Sequence, residues 1–522
     1  MFKRLFSAKF PLMVYPPPAV NAVDYLAAVH RAGALPVLDT EFLDTASVLA
    51  AVADLSGRRV VFGLRLMADR RDLLPRLTQA APRGLDALVL AYRRPEDLKS
   101  LDLARTPWRR LVEVRDLEME ATLAPLNPHG LVVRGHEAPG RVAAVSSFIL
   151  MQAYLSAGDW PVVVHGGVGW FTSAGLLAAG AAGLVLDDQL YLCRESPLAP
   201  GFKELMARLE EKDTVVLETG DEGGFRVFGQ LGTRIVKELK IMEAEAAEDP
   251  DAAGLLREAL IGRIAPLDDP AADPVQSLFP LGQDAVLAKH FAGQSQDLQQ
   301  VIETFFLDTG ARLADIDAHD PLVADSPLAR FHGTRYPIVQ GPMANVSDKG
   351  AFARAVLEAG ALPFLAMGSL PPQLSEAMLT HETVDLSRFG AGLIGIEALN
   401  HGLPAHLEQV RRHRVPFALI AGGVPAQVRA LEADGIATYL HTPSLAMLEN
   451  AIAGGCRRFV FEGAEAGGHV GHLSSLVLWD LATARLAARA DETLAGQTLI
   501  FAGGIGTEFG AHFISGLASH LA

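Results

Sequence analysis

Residues Phe461–Ser475 read FEGAEAGGHVGHLSS, and residues Arg134–Ser147 have already read RGHEAPGRVAAVSS. Both stretches carry a Gly-x-Glu-Ala core and end on Ser-Ser, with Arg141 standing where His469 stands. Other echoes surround them in the same order. AGALPVL at Ala32–Leu38 returns as AGALPFL at Ala359–Leu365, and FPLMVYPPPA from Phe10 is echoed by YPIVQGPMA from Tyr336. VVVHGGVG, ending at Gly169, is answered by LIFAGGIG, ending at Gly506. Paired stretches in one order and at similar separations mark an internal duplication.

Within each copy, short apolar runs alternate with amphipathic, helix-like stretches, the pattern of βαβ units and a parallel sheet. In the first copy the runs are FPLMVY, ALPVL, RVVFGLRL, DALVLAY, RLVEV, GLVVRG, PVVVHGG and GLVLDD. That is the strand count of a (β/α)8 TIM-type barrel, and the length is near the ~250 residues usual for one. A doubly wound open sheet would normally have fewer strands. TVVLETGDEGGFRVFG then predicts a hairpin turning at Asp221–Gly224. EAEAAEDPDAAG, acidic and rich in alanine, is the best candidate for a linker, and helical patterns return between Leu255 and Leu328.

The second copy offers YPIVQGP, LPFLAMG, FGAGLIG, PFALIAGG, ATYLHT, RRFVFEG and TLIFAGG, then a helical TEFGAHFISGLASHLA. The expected organisation is therefore α/β: a first barrel over 1–240, an exit hairpin and helical connector over 241–330, and a second barrel over 331–522 that lacks strand eight. An open barrel leaves an unpaired sheet edge, so the chain is expected to be a piece of something longer.

Of the 522 residues, 50% are hydrophobic and 20% charged, and the mean hydropathy is +0.23, which is material for buried cores and not for a disordered chain. A net charge of −16 disfavours nucleic-acid phosphates and anionic membrane surfaces as partners. Cys193 and Cys456 are too few for a disulfide framework and fit a reducing cytoplasm. The N-terminal MFKRLFSAKF has no continuous apolar core of a signal peptide, and no apolar run reaches membrane-spanning length.

Chemistry in such a barrel sits on the loops at the C-terminal strand ends. Gly463, Gly467, Gly468 and His469 follow the sixth strand of the second copy. Paired glycines let a flat or anionic ligand approach the backbone, and a histidine beside it can move a proton near neutral pH. The alternative is a glycine-rich turn carrying a solvated histidine. AGGIG, with Gly503 and Gly504, ends the seventh strand where backbone N–H groups commonly hold phosphate; a tight turn that merely needs glycine reads equally well. Gly341, Pro342 and Met343 end the first strand, where an apolar floor suits an aromatic ring system, although Met343 as core filler is nearly as good a reading. His469 and His472, with Glu465 nearby, lie on a loop with no clear first shell, so no metal is expected there. Ser474 and Ser475 are read as caps of the helix beginning LVLW.

YPIVQGPMANVS, ATYLHTPS, FEGAEAGGHVG and IFAGGIG together make the segment 331–522 resemble the nitronate monooxygenase (2-nitropropane dioxygenase) family, which also holds FMN-dependent enoyl-thioester reductases. The resemblance implies an FMN barrel, His469 as catalytic acid or base, and Gly503 and Gly504 on the FMN phosphate. It implies oxidation of nitronates or nitroalkanes, or else reduction of an enoyl thioester with NAD(P)H as electron donor. The tandem arrangement, with FPLGQDA in the connector, is similar to the N-terminal part of polyketide-synthase-like megasynthases, which implies further synthase domains beyond residue 522. Gly392 stands where the family often has an asparagine. In the first copy Pro139 and Arg141 replace the motif's glycine and histidine, and Asp187 and Asp188 stand where the family binds phosphate. The first barrel is therefore expected to be a non-catalytic scaffold. A structural role for both barrels, or a different phosphate-binding barrel, are the remaining alternatives.

Overall fold

The eight apolar runs of the first copy are eight parallel strands that close on themselves. In chain order the strands are β1 (Leu12–Val14), β2 (Leu35–Asp39), β3 (Phe62–Met67), β4 (Leu85–Ala91), β5 (Arg109–Val114), β6 (Gly130–Arg134), β7 (Gly140–Val142), β8 (Val162–His165) and β9 (Gly183–Leu186). All but β7 form a closed barrel, in which β9 pairs back onto β1 with Met13 opposite Val185. The computed structural model describes every residue except 1–4, 104–105, 231–232, 249, 265, 317–319, 384–385, 387, 469, 489–496 and 522. The chain divides into two compact units, Met1–Ala314 with Gly506–Phe513 and Asp315–Ile505 with Ile514–Ala522.

Alternation along the strands sets the barrel interior. Val37, Leu111, Val132, Val163 and Val185 belong to one buried cluster that Leu5 and Phe6 complete. Side chains two residues apart share a face, so the same inner face next carries Asp39, Glu113, Arg134, His165 and Asp187, at the C-terminal end of each strand. Arg65 joins this layer from β3. Its guanidinium is buried and forks onto Glu113, Nε to Oε2 at 2.8 Å and Nη2 to Oε1 at 3.0 Å, while Nη1 meets Glu41 Oε2 at 2.7 Å and Asp39 Oδ1 at 3.1 Å. Burial would raise the Glu113 pKa, but Arg65 and Arg134 hold it at about 2.

The mouth of this barrel is roofed by backbone. The predicted hairpin is β10 (Thr214–Glu218) and β11 (Gly224–Phe228), antiparallel and turning through Gly220–Glu222. Its second strand also pairs with β7, with Phe225 opposite Arg141. Three residues of the RGHEAPGRV segment, Gly140–Val142, form this short strand because β11 offers them a partner. The acidic stretch read as a linker instead falls in two helices, Arg234–Glu248 and Pro250–Gly262. Their apolar residues Ile235, Leu239, Leu256 and Leu260 bury against Leu217, Phe225 and Val227 of the hairpin, and Pro250 suits a first helical position. Tertiary burial overrides the composition there.

In the second unit the predicted strands are β12 (Val339–Gln340), β13 (Leu362–Ala366), β14 (Gly390–Ile394), β15 (Phe417–Ala421), β16 (Ala437–His441), β17 (Arg458–Glu462) and β18 (Thr498–Ala502). They pair in sequence order, all parallel, as a seven-stranded sheet, and among the described residues no eighth strand joins β12 to β18. Leu362, Phe364, Phe417, Leu419, Tyr439 and Val460 form its inner core, whereas β18 is only half-buried along its length. His332, from the helix Pro327–His332, is buried with its Nε2 2.6 Å from the Tyr439 hydroxyl, and burial lowers its pKa to about 4. No helix among the described residues is long and apolar enough to cross a membrane.

Two predictions follow from these buried groups. His332 stays neutral in the folded unit while the unfolded chain takes up a proton, so its contribution is complete above pH 6.5 and is lost as pH falls toward 4. Glu113 contributes above pH 4.5 and is lost only as pH falls toward 2. Hydrogen exchange across an acid series, corrected for intrinsic rates, is expected to show protection failing in the second unit first. Replacing Arg65 by methionine leaves three acidic groups without their shared cation and is expected to cost about 3–5 kcal/mol, read as a lower denaturation midpoint.

Candidate functional site

The Gly-Gly-His loop hangs from the end of β17 by a defined set of bonds. Gly463 N donates to Ala502 O at 3.0 Å, Ala464 N to Leu473 O at 2.9 Å, and Ala466 N to Gly463 O at 3.0 Å. Glu465 closes the loop. Its Oε2 accepts from Ser475 N at 2.7 Å and lies 2.8 Å from Ser475 Oγ, which is also 3.1 Å from Gly503 O. A carboxylate at the first turn of the helix Ser475–Ala487 is favoured by the helix dipole. Ser474 holds the N-cap position, but its side chain makes no capping hydrogen bond, and Glu465 does that work instead. A side chain at Gly463 would collide with Ser475, which fixes glycine there.

The first unit repeats this set almost bond for bond. Gly135 N donates to His165 O at 3.0 Å, His136 N to Val145 O at 3.0 Å, Ser147 N to Glu137 Oε2 at 3.0 Å, and Ser147 Oγ to Gly166 O at 2.7 Å. The glycine turns agree as well: φ is +104° and +70° at Gly166 and Gly167, +117° and +73° at Gly503 and Gly504. The duplication therefore reaches the level of single hydrogen bonds.

What differs is the content of the mouth. In the first unit Arg141, the counterpart of His469, is buried, with Nε 2.6 Å from Glu41 Oε1 and Nη1 2.9 Å from Glu222 Oε2. Arg134 Nη1 is 3.2 Å from His165 Nδ1, and His165 Nε2 is 2.7 Å from Asp187 Oδ2. Burial, and then the Arg134 charge, lower the His165 pKa, so that imidazole is neutral near pH 7. Gly167 N donates to Asp284 Oδ2 at 2.9 Å, a carboxylate brought in by the FPLGQDA segment. The turn that corresponds to Gly503–Gly504 thus already donates to a carboxyl oxygen in the first copy. In the second unit the inward positions that follow Phe364, Gly390, Leu419 and Ile500 are Ala366, Gly392, Ala421 and Ala502, and Ile394 follows Gly392 on β14, while His441 and Glu462 bring polar groups to the same face. His441 Nε2 lies 2.9 Å from Glu462 Oε2.

The predicted site residues fall into groups. Gly463 and Gly503 meet across Ser475, where a side chain on either would overlap its hydroxyl. Gly467 and Gly468 have open space where a Cβ would point, Gly468 with φ +95°. Gly504 completes the strand-end turn. Gly341 is open too, Pro342 lies directly over Gly392, and Met343 is 42% exposed. Pro342 fills the space an asparagine at 392 would need. His469 lies outside the described residues. Around the same strand ends Ile396, Val424, Val470 and Ile505 expose apolar side chains. Sequence reasoning missed the His441–Glu462 pair and the locking role of Glu465. The signal for the pair was period two: His441 follows Tyr439, and Glu462 follows Val460, on the inner face.

A phosphorylated, planar cofactor such as FMN fits these residues. Its phosphate suits the Gly503–Gly504 turn, whose twin holds a carboxylate, and its ring suits the small-residue layer. Comparison with known proteins agrees on the fold. No known family profile matches the chain. A stretch of 194 residues, 34% of this chain, is 26% identical to (3aS,4S,5R,7aS)-5-hydroxy-7a-methyl-1-oxo-octahydro-1H-indene-4-carboxyl-CoA dehydrogenase of Rhodococcus jostii (strain RHA1). The chain spans 50% of that relative's length. Among solved structures, FabK from Thermotoga maritima matches with a TM-score of 0.51 at 18% identity over 60% of this chain and 97% of its own. The enoyl reductase domain of MlnA from the macrolactin biosynthesis cluster of Bacillus amyloliquefaciens gives 0.45 at 11%, over 60% and 96%.

The lock at Glu465 is open to a direct check. Gly463→Ala drives a methyl into Ser475 and is expected to destabilise the second unit by about 1–3 kcal/mol. Thermal unfolding followed by circular dichroism reads it, and a melting temperature equal to that of the natural chain would contradict the contact.

Proposed function

We propose that residues 331–522 carry an FMN-dependent oxidoreductase site of the nitronate monooxygenase type, with His469 as the proton-transfer group. The observation that carries this reading is the turn at Gly503–Gly504, whose conformation matches the Gly166–Gly167 turn that binds a carboxylate oxygen. Gly341, Gly467 and Gly468, each with open space beside its Cα, leave backbone free to line a flat ring. Bound FMN supplies reversible electron transfer. In nitroalkane or nitronate oxidation His469 takes the α-proton or holds the nitronate oxygen. Met343 and Ile396 offer apolar surface for the substrate, and the His441–Glu462 pair places polar groups on the inner wall.

A second reading is reduction of an enoyl thioester with NAD(P)H, in which His469 delivers a proton to Cα. It is favoured by the sequence match to a dehydrogenase of a carboxyl-CoA compound. In both readings the first barrel is a scaffold. Its mouth is filled by the Arg65, Arg134 and Arg141 ion pairs, and its anion-binding turn is taken by Asp284.

The test is an absorption spectrum of the full chain with and without added FMN, followed by turnover of nitronates and of enoyl-CoA with NAD(P)H. The expected result is flavin uptake at about one per chain and a rate that drops by about 10²-fold or more in His469→Ala, within the span of general acid–base catalysis, with FMN uptake retained. A chain that takes up no flavin overturns the reading.

A further inference from the structure

Asp187 and Asp188 follow β9 and Asp284 comes from the FPLGQDA segment, and all three are buried. One carboxylate oxygen from each lies within 4.8 Å of the other two. Their hydrogen bonds are unevenly shared. Asp187 has His165 through Oδ2 and Asp188 N through Oδ1. Asp188 Oδ2 accepts from Gly282 N, and Asp284 Oδ2 accepts from Gly167 N and from Gln189 Nε2, each at 2.9 Å. Asp188 Oδ1 and Asp284 Oδ1 are shut off from solvent and accept no hydrogen bond among the described residues. Neither residue is in an ion pair among the described residues, for Arg65, Arg134 and Arg141 spend their guanidiniums on Glu113, Glu41, Glu222 and backbone carbonyls. The hydroxyl of Tyr25, on the helix Val23–Arg31, is also buried without a hydrogen-bond partner among the described residues, within electrostatic reach of Asp187 and Asp188.

Unpaired buried carboxylates cost several kcal/mol each unless something neutralises them. Two solutions exist: protons shared among the acids, or a cation. Hard divalent cations take oxygen donors, and calcium holds them at 2.3–2.6 Å. Two oxygens on one calcium are therefore separated by no more than about twice that distance, a limit the triad meets as it stands. A fully buried site made of protein oxygens suits calcium better than magnesium, which keeps several waters.

We propose that Asp187, Asp188 and Asp284 bind a hard divalent cation, calcium in the first instance, which staples the FPLGQDA segment to the end of β9. One ligand comes from outside the barrel wall, so the ion ties the connector to the strand ends and helps keep Asp284 in the Gly167 turn.

The full chain, purified and dialysed against chelator and then against calcium or magnesium, tests this by elemental analysis and by melting temperature. About one ion per chain is expected, with a melting temperature several degrees higher in the loaded state, since a ligand bound only by the folded form stabilises it. Asp284→Asn is expected to lose both the ion and the metal-dependent shift, and Asp188→Asn likewise. The natural chain is sufficient by itself: if it retains no ion, takes none up from calcium or magnesium, and melts identically with and without chelator, the site is neutralised by protons and the proposal is overturned.

Discussion

A guanidinium buried at the mouth of a barrel has to be surrounded by carboxylates, and Arg65 is. Removing a charge from water costs more than one partner usually returns, so Arg65 draws in Glu113, Glu41 and Asp39, Arg134 also meets Glu113, and Arg141 bridges Glu41 and Glu222. Every loop at that end of the first barrel is committed to this charge balance. The hairpin contributes Glu222, the segment after β2 contributes Glu41, and β7 carries Arg141 between them. The first barrel is full because its top layer is charged, and its arginines occupy the mouth.

The second unit shows what the same scaffold does when that layer is made of small residues. Ala366, Gly392, Ala421 and Ala502 stand at inward positions near the strand ends, and loops that are tied down in the first unit present open glycines here. The helix-capping acid and the strand-end glycine turn are unchanged between the two. The loop was evidently kept for its geometry, and what the geometry encloses was changed by side chains at strand ends.

Much of this was legible in the sequence because it depends on short-range patterns. All eight barrel strands and all seven sheet strands coincide with predominantly apolar runs, as burial on both faces requires, and the polar residues within them gather toward the strand ends, as Arg65, Glu113 and Glu462 do. The Glu-Ala-Gly-Gly-His loop was visible as a repeated phrase. Three features were not. β7 is a strand only because β11 lies beside it, which no local signal in GRV announces. The EAEAAEDPDAAG stretch is helical because Leu256 and Leu260 find the hairpin core, far away in sequence. Asp284, some hundred residues from Asp188, enters the first barrel's anion turn through a contact that composition and spacing leave unspecified.

Two homologous halves in one chain raise a sorting problem during synthesis, because a strand from one could register in the other. The charged layer acts as an address. A second-half strand inserted among β1 to β9 would bring alanine or glycine opposite Arg65 or Glu113 and strand a buried charge, so the mispaired intermediate pays a penalty that correct pairing avoids. The reverse exchange would place an arginine or aspartate into a layer with no counter-charge. Ion pairs that add modest net stability to the finished barrel thus discriminate strongly between right and wrong partners while it forms.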